Sequence, residues 1–511
     1  MSDNMKAWVL HDINDIRMEE VKKPVPGKGE ALVRVMAAGI CGSDIPRIFK
    51  TGAHNMPLIP GHEFSGVVEA VGESYDSDLE KNEAVSTGRA DGNKKTGGNY
   101  ADAWVGKRVG IFPLIPCRKC DPCQHELYEM CKNYNYLGSR CDGAFAEYVT
   151  VPVANLIELP DNVSFQAAAM LEPMAVAVHA MRAMEKELIK YKKINSTDQL
   201  IYSENTPVDN NDCNRVIGSE ENLSQEMISP SSGRNASQEI ISPDNERNLL
   251  SKEINTDNKN SIQIAVCGVG TIGLLLCMVL KASGYENIIA IGNKEAQRQT
   301  AMDAGAKVFA KFDGKTTDIF CEEQAGSLVR ESVNGKPDPL SEGASASFVE
   351  GMDFDVFFEC VGKNETLSLG VEKLNFHGVL ITVGNPYSDM TLDRNIYWKI
   401  LRNQLTIRGV WNSSFTGHDN DDWHYVLKLL SGYDLLSVHD GSASCDDITD
   451  SEQDISGTGK ESTGNKDHDC KKGMDPSVLI THEFAIDDLM RGLTIMRDKT
   501  EYYCKVMLSM K

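Results

Sequence analysis

The sequence predicts two domains of different class, an all-β barrel and an α/β domain with a doubly wound parallel sheet. Three observations lead to this prediction. Short alternating strands occur before residue 160, short apolar strands alternate with helix-length segments after residue 262, and polar stretches interrupt both patterns. The 511 residues are 41% hydrophobic, which is enough apolar mass for a core in each domain.

The N-terminal region has the period of half-buried strands. Ala31–Ala37 alternates apolar and polar residues, as a strand with one buried face does. The other predicted strands here are Glu63–Val71, Arg108–Ile111 and Phe145–Val151. Gly and Pro punctuate the stretches between them, so we expect a compact all-β barrel.

The pattern changes at Ile262. The apolar run Ile262–Val269 is followed by the helix-length segment Thr271–Gly284. Further short apolar strands are predicted at Asn287–Gly292, Phe354–Cys360 and Gly378–Gly384. Strands that alternate with helices indicate a parallel, doubly wound sheet.

Four segments are richer in Ser, Asn, Asp and Gly than the rest of the chain. They span about 74–100, 185–260, 313–351 and 437–475. Because their apolar content is too low to offset the entropy of ordering, we interpret them as mobile surface loops of low complexity. Without these insertions roughly 350 residues remain, which is the size of two domains.

The net charge is −23, from 52 Lys and Arg against 75 Asp and Glu. An acidic surface repels phosphate backbones and anionic lipids, so we expect no nucleic-acid partner and no membrane partner. We find no 18-residue apolar run and no basic leader followed by an apolar segment. Fourteen cysteines in such a chain indicate reduced thiols or metal ligands and a cytoplasmic protein.

A glycine motif marks a nucleotide site. Gly268, Gly270 and Gly273 form G-x-G-x-x-G between an apolar strand and a helix, which is the context that this motif requires. The first glycine permits a tight turn, the second lets the backbone approach a pyrophosphate, and the third packs helix against strand. We therefore expect NAD(H) or NADP(H) as cofactor.

The end of the second strand bears on the choice between the two cofactors. About 20 residues after the motif, where an acid would bind the ribose 2′-hydroxyl, the chain has Gly292, followed by Asn293 and Lys294. No carboxylate there would repel a 2′-phosphate, and Lys294 and Arg298 would attract one. The sequence favours NADP(H), and NAD(H) stays open.

Two groups of residues have the composition of zinc sites. Cys117, Cys120, Cys123 and Cys131 lie on one loop with the spacing of a tetrahedral zinc site, with an iron–sulfur cluster as the weaker alternative. Cys41 and His62, with Glu63 or Glu172 as the carboxylate, would leave an open position, as catalytic zinc requires.

Longer stretches carry a resemblance to a known family. They are GSDIPRIFKTGAH, PGHEFSG, YLGSRCDGAFAEYV, EPMAVAVHA, GVGTIGLL and WKILRNQLTIRGVW. With the four-cysteine loop they resemble the zinc-dependent medium-chain dehydrogenases, and within these the polyol branch, from Lys6 to Lys505. The resemblance implies a GroES-like catalytic barrel at 1–170, completed by 410–511, and a Rossmann domain at 171–409.

The resemblance also implies site roles. It assigns Cys41, His62 and Glu172 to a catalytic zinc, with Glu63 as the alternative third ligand, and the four-cysteine loop to a structural zinc. The usual acid at the second strand end is Gly292 here, so the chain departs from the family pattern at this position.

Further residues follow from the chemistry of such a site. Ser43 is expected to pass the substrate proton outward, His54 to continue the relay, and Asp44 to orient His62. The nicotinamide is expected near Val361 and Val383, at the strand ends.

The expected substrate is a polyol or polyol phosphate, and galactitol 1-phosphate oxidised to L-tagatose 6-phosphate is the reaction that the resemblance favours. Arg47, Lys50 and Arg140 are candidates for a phosphate clamp, and Trp411 and Asn412 for the pocket wall. Sorbitol (L-iditol), threonine and other secondary alcohols are alternative substrates. A non-enzymatic descendant is disfavoured because Cys41 and His62 are present. By analogy with relatives we expect a homo-oligomer, either a dimer or a tetramer.

Overall fold

The computed structural model describes residues 3–73, 103–203, 256–314, 320–321, 347–348, 353–432 and 473–510. The chain divides into two compact units, Met1–Met184 with Thr256–Lys511 and, separately, Glu185–Asn255. The second unit is described only where a helix runs through residues 185–203. The predicted insertion at 74–100 lies outside the described residues, as does nearly all of the insertion at 437–475.

The first part of the chain forms nine strands and three short helices. The strands are β1 Asn4–Asp12, β2 Asp15–Lys22, β3 Glu30–Ile40, β4 Glu63–Val71, β5 Arg108–Ile111, β6 Leu114–Ile115, β7 Asn135–Tyr136, β8 Tyr148–Pro152 and β9 Leu156–Glu158. The helices are α1 Asp44–Pro46, α2 Asp121–Gln124 and α3 Phe165–Ala169, and a π-helical turn, Arg47–Thr51, follows α1.

The long helix α4, Leu171–Ser203, leads out of this region, and the α/β domain follows. Its strands are β10 Ile264–Cys267, β11 Ile288–Gly292, β12 Val308–Lys311, β13 Phe320–Cys321, β14 Ser347–Phe348, β15 Phe354–Glu359, β16 Leu374–Thr382 and β17 Thr406–Gly409. Its helices are α5 Thr256–Ser261, α6 Thr271–Ala282, α7 Arg298–Asp303, α8 Asn364–Glu372, α9 Arg394–Arg402 and α10 Asp422–Ser431.

The chain then returns to the first sheet with β18 Ile480–Ala485, α11 Leu489–Asp498 and β19 Lys505–Ser509. This seven-stranded sheet has the order β18-β19-β3-β4-β5-β9, and β8 pairs with β3. Its core takes fully buried side chains from several strands, among them Leu10, Val33, Phe64 and Val506. The predicted β-barrel is confirmed, and its strand β19 comes from more than 400 residues beyond its neighbour β3.

The second sheet has the order β14-β13-β12-β11-β10-β15-β16-β17. The six strands from β12 to β17 in this order pair in parallel, as predicted for a doubly wound sheet. The chain runs outward from β10 to β12 and then returns to β15, so the strand order reverses between β10 and β15. A reversal of this kind opens a crevice at the carboxyl ends of the two strands, where ligands bind.

Two of the loop predictions are wrong in part. Helix α4 continues through Ser203, so the insertion predicted from Glu185 begins as helix; Glu, Lys and Leu favour helix, and Glu187 pairs with Lys190 at 3.1 Å. The insertion predicted at 313–351 contains β13 and β14, which extend the sheet edge in antiparallel pairing. The domain boundaries at 170 and 410 stay predictions.

Within the described ranges, no helix combines the length and the apolar character needed to span a membrane.

Candidate functional site

The first candidate metal centre lies where β3 ends and β4 begins. These strands are antiparallel and place Gly39 opposite Glu63, so Cys41, just after β3, meets His62 and Glu63. One possible ligand atom from each of Cys41, His62 and Glu63 lies within 4.8 Å of the other two. Sheet register thus gathers a thiol, an imidazole and a carboxylate from two chain segments.

Asp44 contacts both Cys41 and His62 of this group. It is fully buried, accepts the Cys41 backbone N–H at 3.0 Å and lies 3.6 Å from His62 Nδ1. Arg47 donates a hydrogen bond to Asp44 Oδ1, the oxygen that faces His62. His62 Nδ1 is buried and has no hydrogen-bond partner at normal distance, and the Asp44 carboxylate lies 3.6 Å from it. Asp44 therefore lies where a residue that orients His62 has to lie.

Glu63 has a partner that the sequence did not suggest. Lys505, from β19, forms an ion pair with Glu63, and both side chains are only 2% exposed. Lys505 Nζ also donates to the Ile40 carbonyl at 3.3 Å. Burial lowers the pKa of Lys505, but Glu63, Cys41 and Glu172 together raise it by more, so the net pKa is above the ordinary value. The Glu63 carboxylate is therefore buried in the pocket with its negative charge balanced by Lys505.

Glu172 lies on the other side of the pocket, in the first turn of α4. The Tyr136 hydroxyl donates to Glu172 Oε1 at 3.1 Å, and the Tyr136 ring meets the His62 ring edge to face at 5.8 Å. Desolvation raises the pKa of Glu172 to about 7. Among the described residues, the compact metal-ligating group contains Glu63 and not Glu172. Tyr136 was missed because a lone aromatic residue has no distinguishing sequence signal.

These residues fit a zinc ion. Thiolate, imidazole and carboxylate are the donors that zinc takes in open, three-ligand sites. Desolvation, with the neighbouring Glu63, raises the pKa of the Cys41 thiol, and a bound cation deprotonates such a thiol outright. The pocket supplies the three donor groups, but the Cys41 thiol needs a bound metal to lose its proton.

The second candidate metal centre is the loop of Cys117, Cys120, Cys123 and Cys131. Its sulfur atoms lie 3.5 Å apart for Cys120 and Cys123, 3.9 Å for Cys120 and Cys131, and 4.0 Å for Cys117 and Cys123. Four sulfurs at 2.3 Å from a tetrahedral zinc would be about 3.8 Å apart. Hydrogen bonds from backbone N–H groups, that of Lys119 first, lower the pKa of Cys117 to about 6. The loop therefore fits zinc in its geometry, and its backbone donors favour the thiolate at Cys117, whereas desolvation raises the pKa of Cys123 to about 12.

The glycine motif has the shape of a dinucleotide cradle. Gly268 has φ +102°, and a Cβ there would lie 2.6 Å from Val361. A Cβ at Gly273 would lie 2.0 Å from the Gly268 carbonyl, so this glycine packs α6 against β10. A Cβ at Gly270 would meet no protein atom within 4 Å. The middle glycine therefore faces open space, as a position reserved for a pyrophosphate does.

The turn after β11 has no acid at its end. Gly292 closes the strand, and Asn293 and Lys294 are exposed. Gln297 Oε1 accepts the backbone N–H groups of Asn293 and Lys294 at 3.1 and 3.0 Å. Arg298 pairs with Glu295 and packs on the Phe309 ring. Val361 and Val383 follow β15 and β16 at the same edge of the sheet.

The predicted relay and clamp residues follow Cys41 along the chain. Ser43 is half-buried beside α1, and Lys50 and His54 are exposed. Arg47 is held by Asp44, as described above. Arg140 stacks on the Tyr134 ring at 4.5 Å, and its carbonyl accepts a hydrogen bond from Asn55 at 3.1 Å.

The predicted pocket wall lies after β17. Trp411 is 55% exposed. Asn412 has φ +55°, and its Nδ2 is buried with no hydrogen-bond partner. An amide donor in this state is ready for a ligand acceptor.

Comparison with known families extends this description. The alcohol dehydrogenase GroES-like domain matches residues 27–161, and the zinc-binding dehydrogenase domain matches residues 271–432. Galactitol 1-phosphate 5-dehydrogenase of Escherichia coli (strain K12) is 27% identical over 86% of this chain and 93% of that protein. Sorbitol dehydrogenase of Bacillus subtilis (strain 168) is 32% identical over 35% of this chain and 44% of that protein.

Solved structures share the fold. Galactitol-1-phosphate dehydrogenase from Escherichia coli has a TM-score of 0.60 at 22% identity, with 99% of this chain and all of that chain covered. A zinc-binding dehydrogenase from Sinorhizobium meliloti 1021, bound to NADP, has a TM-score of 0.58 at 18% identity, with the same coverage. RspB from Escherichia coli CFT073, complexed with NADH, has a TM-score of 0.60 at 19% identity over 99% of this chain and 100% of that chain.

The chain therefore belongs to the zinc-dependent medium-chain alcohol dehydrogenase family. Within that family it is a zinc-dependent oxidoreductase of the alcohol and polyol class that takes a nicotinamide cofactor. The predictions of fold class, enzyme class and cofactor type are confirmed.

Proposed function

We propose that the enzyme oxidises a secondary hydroxyl of a polyol phosphate, with galactitol 1-phosphate converted to L-tagatose 6-phosphate. One relative that matches over most of both chains, from Escherichia coli, bears the name of this activity. One structural observation supports a phosphate ester: the hydrogen bond from Asn55 to the Arg140 carbonyl joins the segment of Lys50 and His54 to the loop of Arg140. Lys50 and Arg140 are thus carried by segments that this hydrogen bond joins.

We assign the catalytic zinc to Cys41, His62 and one carboxylate. Glu63 is the nearer carboxylate, and Glu172 is the alternative. Zinc bound there would polarise the substrate hydroxyl and lower its pKa. We assign the structural zinc to the four-cysteine loop.

The chain's own residues complete the reaction. Ser43 takes the proton of the substrate hydroxyl as it gives its own hydroxyl proton to His54, and the exposed His54 releases a proton to solvent. Asp44 holds His62, and Tyr136 holds Glu172. A nicotinamide cofactor held beside Val361 and Val383 would accept the hydride from the substrate carbon. Asn412 donates to a substrate oxygen, and Trp411 covers the pocket.

The test compares one polyol with and without its phosphate. Initial rates with galactitol 1-phosphate, galactitol and sorbitol should show the highest kcat/KM for the phosphate ester. Lys50→Ala and Arg140→Ala should each raise KM for the ester about tenfold, because each removes a charged donor, and should leave KM for galactitol unchanged. Arg47→Ala is less informative, because Arg47 also binds Asp44.

Lys22→Ala is the control, since Lys22 is an exposed lysine on β2. Equal effects of Lys50→Ala and Arg140→Ala on ester and free polyol would remove both residues from the clamp. Turnover of sorbitol or another free secondary alcohol alone would favour the second candidate, a sorbitol-type dehydrogenase, which the identity to the Bacillus subtilis enzyme supports.

We also propose a preference for NADP(H). Gly292 carries no carboxylate, and the exposed Lys294 follows it. Lys294→Ala should lower kcat/KM for NADP⁺ and leave that for NAD⁺ unchanged. A wild-type preference for NAD⁺ would contradict this proposal.

We further propose a cytoplasmic homo-oligomer, a dimer or tetramer. Strand β17 is the edge of the second sheet, and apolar side chains lie exposed on β17 and the preceding helix α9: Ile407 (44%), Trp398 (47%) and Leu401 (50%). Light scattering should give a mass above that of one chain, and Ile407→Lys should lower it. Cell fractionation tests the compartment, which the free thiols of the described cysteines support.

A further inference from the structure

The segment after β17 presents an unusual asparagine. Asn412 is left-handed at φ +55°, and its Nδ2 is a buried donor without a protein acceptor. The Val410 N–H bonds the Thr382 carbonyl at 3.2 Å, which keeps this segment at the sheet edge that also carries Val361 and Val383. The left-handed backbone of Asn412 and its buried Nδ2 without an acceptor are both unfavourable, so neighbouring groups have to hold this segment in place.

Three consecutive residues at the start of α10 hold the segment that follows Asn412. The Asp421 carboxylate accepts the N–H groups of Thr416 and Gly417 at 2.9 and 3.0 Å. Asp422 accepts the Ser414 N–H at 2.8 Å. The Trp423 indole donates to Ser413 Oγ at 3.0 Å.

Asp422 also connects this segment to α4. It accepts from His179 Nδ1 at 2.9 Å and from Arg182 Nη1 at 2.7 Å, and its side chain is 2% exposed. Burial alone would raise the pKa of Asp422, but His179 and Arg182 hold it well below its ordinary value, so the carboxylate stays ionised. The same helix carries Glu172 in its first turn. Asp422 is therefore the shared point between the helix of a zinc-site carboxylate and the segment of Asn412.

We infer that Asp422 is a positioning residue that fixes the Ser413–Gly417 segment against α4, so that the Asn412 carboxamide donates to an oxygen of the bound polyol. This inference rests on the proposed polyol dehydrogenase activity. We expect no direct contact between Asp422 and the substrate, because its carboxylate is already bound to Ser414, His179 and Arg182. It acts through Ser414 and, one step further, through Asn412.

A double-mutant cycle tests the inference. Asp422→Asn keeps the shape of the side chain, and Asn412→Ala removes the donor. Each should lower kcat/KM for the polyol about tenfold and leave KM for the nicotinamide cofactor unchanged, and the double variant should be no worse than the more impaired single variant. Asp419→Asn is the control, since Asp419 is exposed in the same turn.

Three kinetic results would overturn the inference. The first is a double variant in which the two single effects multiply. The second is a rise in KM for the cofactor as large as the loss in kcat/KM for the polyol. The third is an Asn412→Ala variant that turns over the polyol as wild type does. Absence of polyol turnover by the wild-type enzyme would instead refute the proposed function.

A second measurement does not need turnover. In the zinc-loaded wild type and Asp422→Asn, amide hydrogen exchange should be compared for peptides that cover residues 411–417. The variant should exchange faster at residues 411–417, while its zinc content and the amide exchange of α4 are unchanged. Unchanged protection of residues 411–417 would show that Asp422 does not hold the segment.

Discussion

The two candidate zinc centres differ in how far along the chain their residues are gathered. The structural centre takes all four sulfurs from residues 117–131. The candidate catalytic pocket combines Cys41 after β3, His62 and Glu63 where β4 begins, Glu172 on α4 and Lys505 on β19. One centre is a local loop, whereas the other exists only when distant strands have paired.

The two centres also prepare their thiols differently. Backbone N–H groups of the loop itself lower the pKa of Cys117. Desolvation raises the pKa of Cys41, and the countercharge in its pocket is Lys505, which is already paired with Glu63. The loop thus brings its four sulfurs together within one short segment, and the pocket forms only after the barrel has closed. Local and assembled centres should respond differently to mutation.

The largest effect is expected from Cys41→Ala. It removes a proposed ligand of the catalytic zinc, so kcat should fall by roughly 10³-fold or more, since the metal would supply several kcal/mol of transition-state stabilisation. Metal analysis should show one zinc lost per chain with the loop zinc retained. A variant that loses both zinc ions would break the distinction between the two centres.

Lys505→Ala should have the next largest effect. In the zinc-free protein it leaves the Glu63 carboxylate buried and unpaired, which costs about 3–5 kcal/mol. Urea unfolding should report this loss, and the double variant Glu63→Gln with Lys505→Met should recover part of it. Unchanged stability of Lys505→Ala would mean that the pair does not support the assembled pocket.

Cys120→Ser should have a smaller and more local effect. One zinc should be lost and residues 117–131 should become sensitive to protease, because four thiolates hold this loop. Activity should fall far less than in Cys41→Ala, as the catalytic ligands lie on other segments. Loss of activity equal to that of Cys41→Ala would show that the local centre supports the pocket directly.

The smallest effect concerns the pH dependence of unfolding in Asp422→Asn. The pKa of Asp422 is held below its ordinary value of 3.8 by His179 and Arg182 of α4. Its ionised form therefore stabilises the fold above about pH 4, and this contribution is lost as the pH falls toward the lowered pKa. Urea unfolding of both proteins from pH 6 to pH 3 should show a difference that is full at pH 6 and shrinks below pH 4. A difference that grows in acid would contradict the assigned ion pairs.

The sequence predicted the local features well. The four-cysteine loop and the glycine motif have fixed spacings because short backbone geometry dictates them. Strands β4 and β5 coincide with the predicted ranges. Periodicity identifies such elements because it reports which face of a segment is buried.

The long-range contacts could not be predicted in the same way. The pairing of Lys505 with Glu63 depends on the register of β19 against β3, and no spacing encodes a contact over 442 residues. Tyr136 and Asp422 acquire their roles from what packs beside them. The loop reading after Glu185 was wrong in part because Glu, Lys and Leu continued α4 in a polar stretch.

The place of β19 in the barrel has a consequence for synthesis on the ribosome. β19 lies between β18 and β3, so the sheet that holds Cys41 and His62 has a vacant slot until residue 505 has been translated. At about 5–20 residues per second, the first strands wait tens of seconds for this partner. During that interval β3 exposes an unpaired edge, which favours association with other chains or chaperones. The four-cysteine loop can bind zinc throughout this time, and the catalytic pocket is among the last features to form.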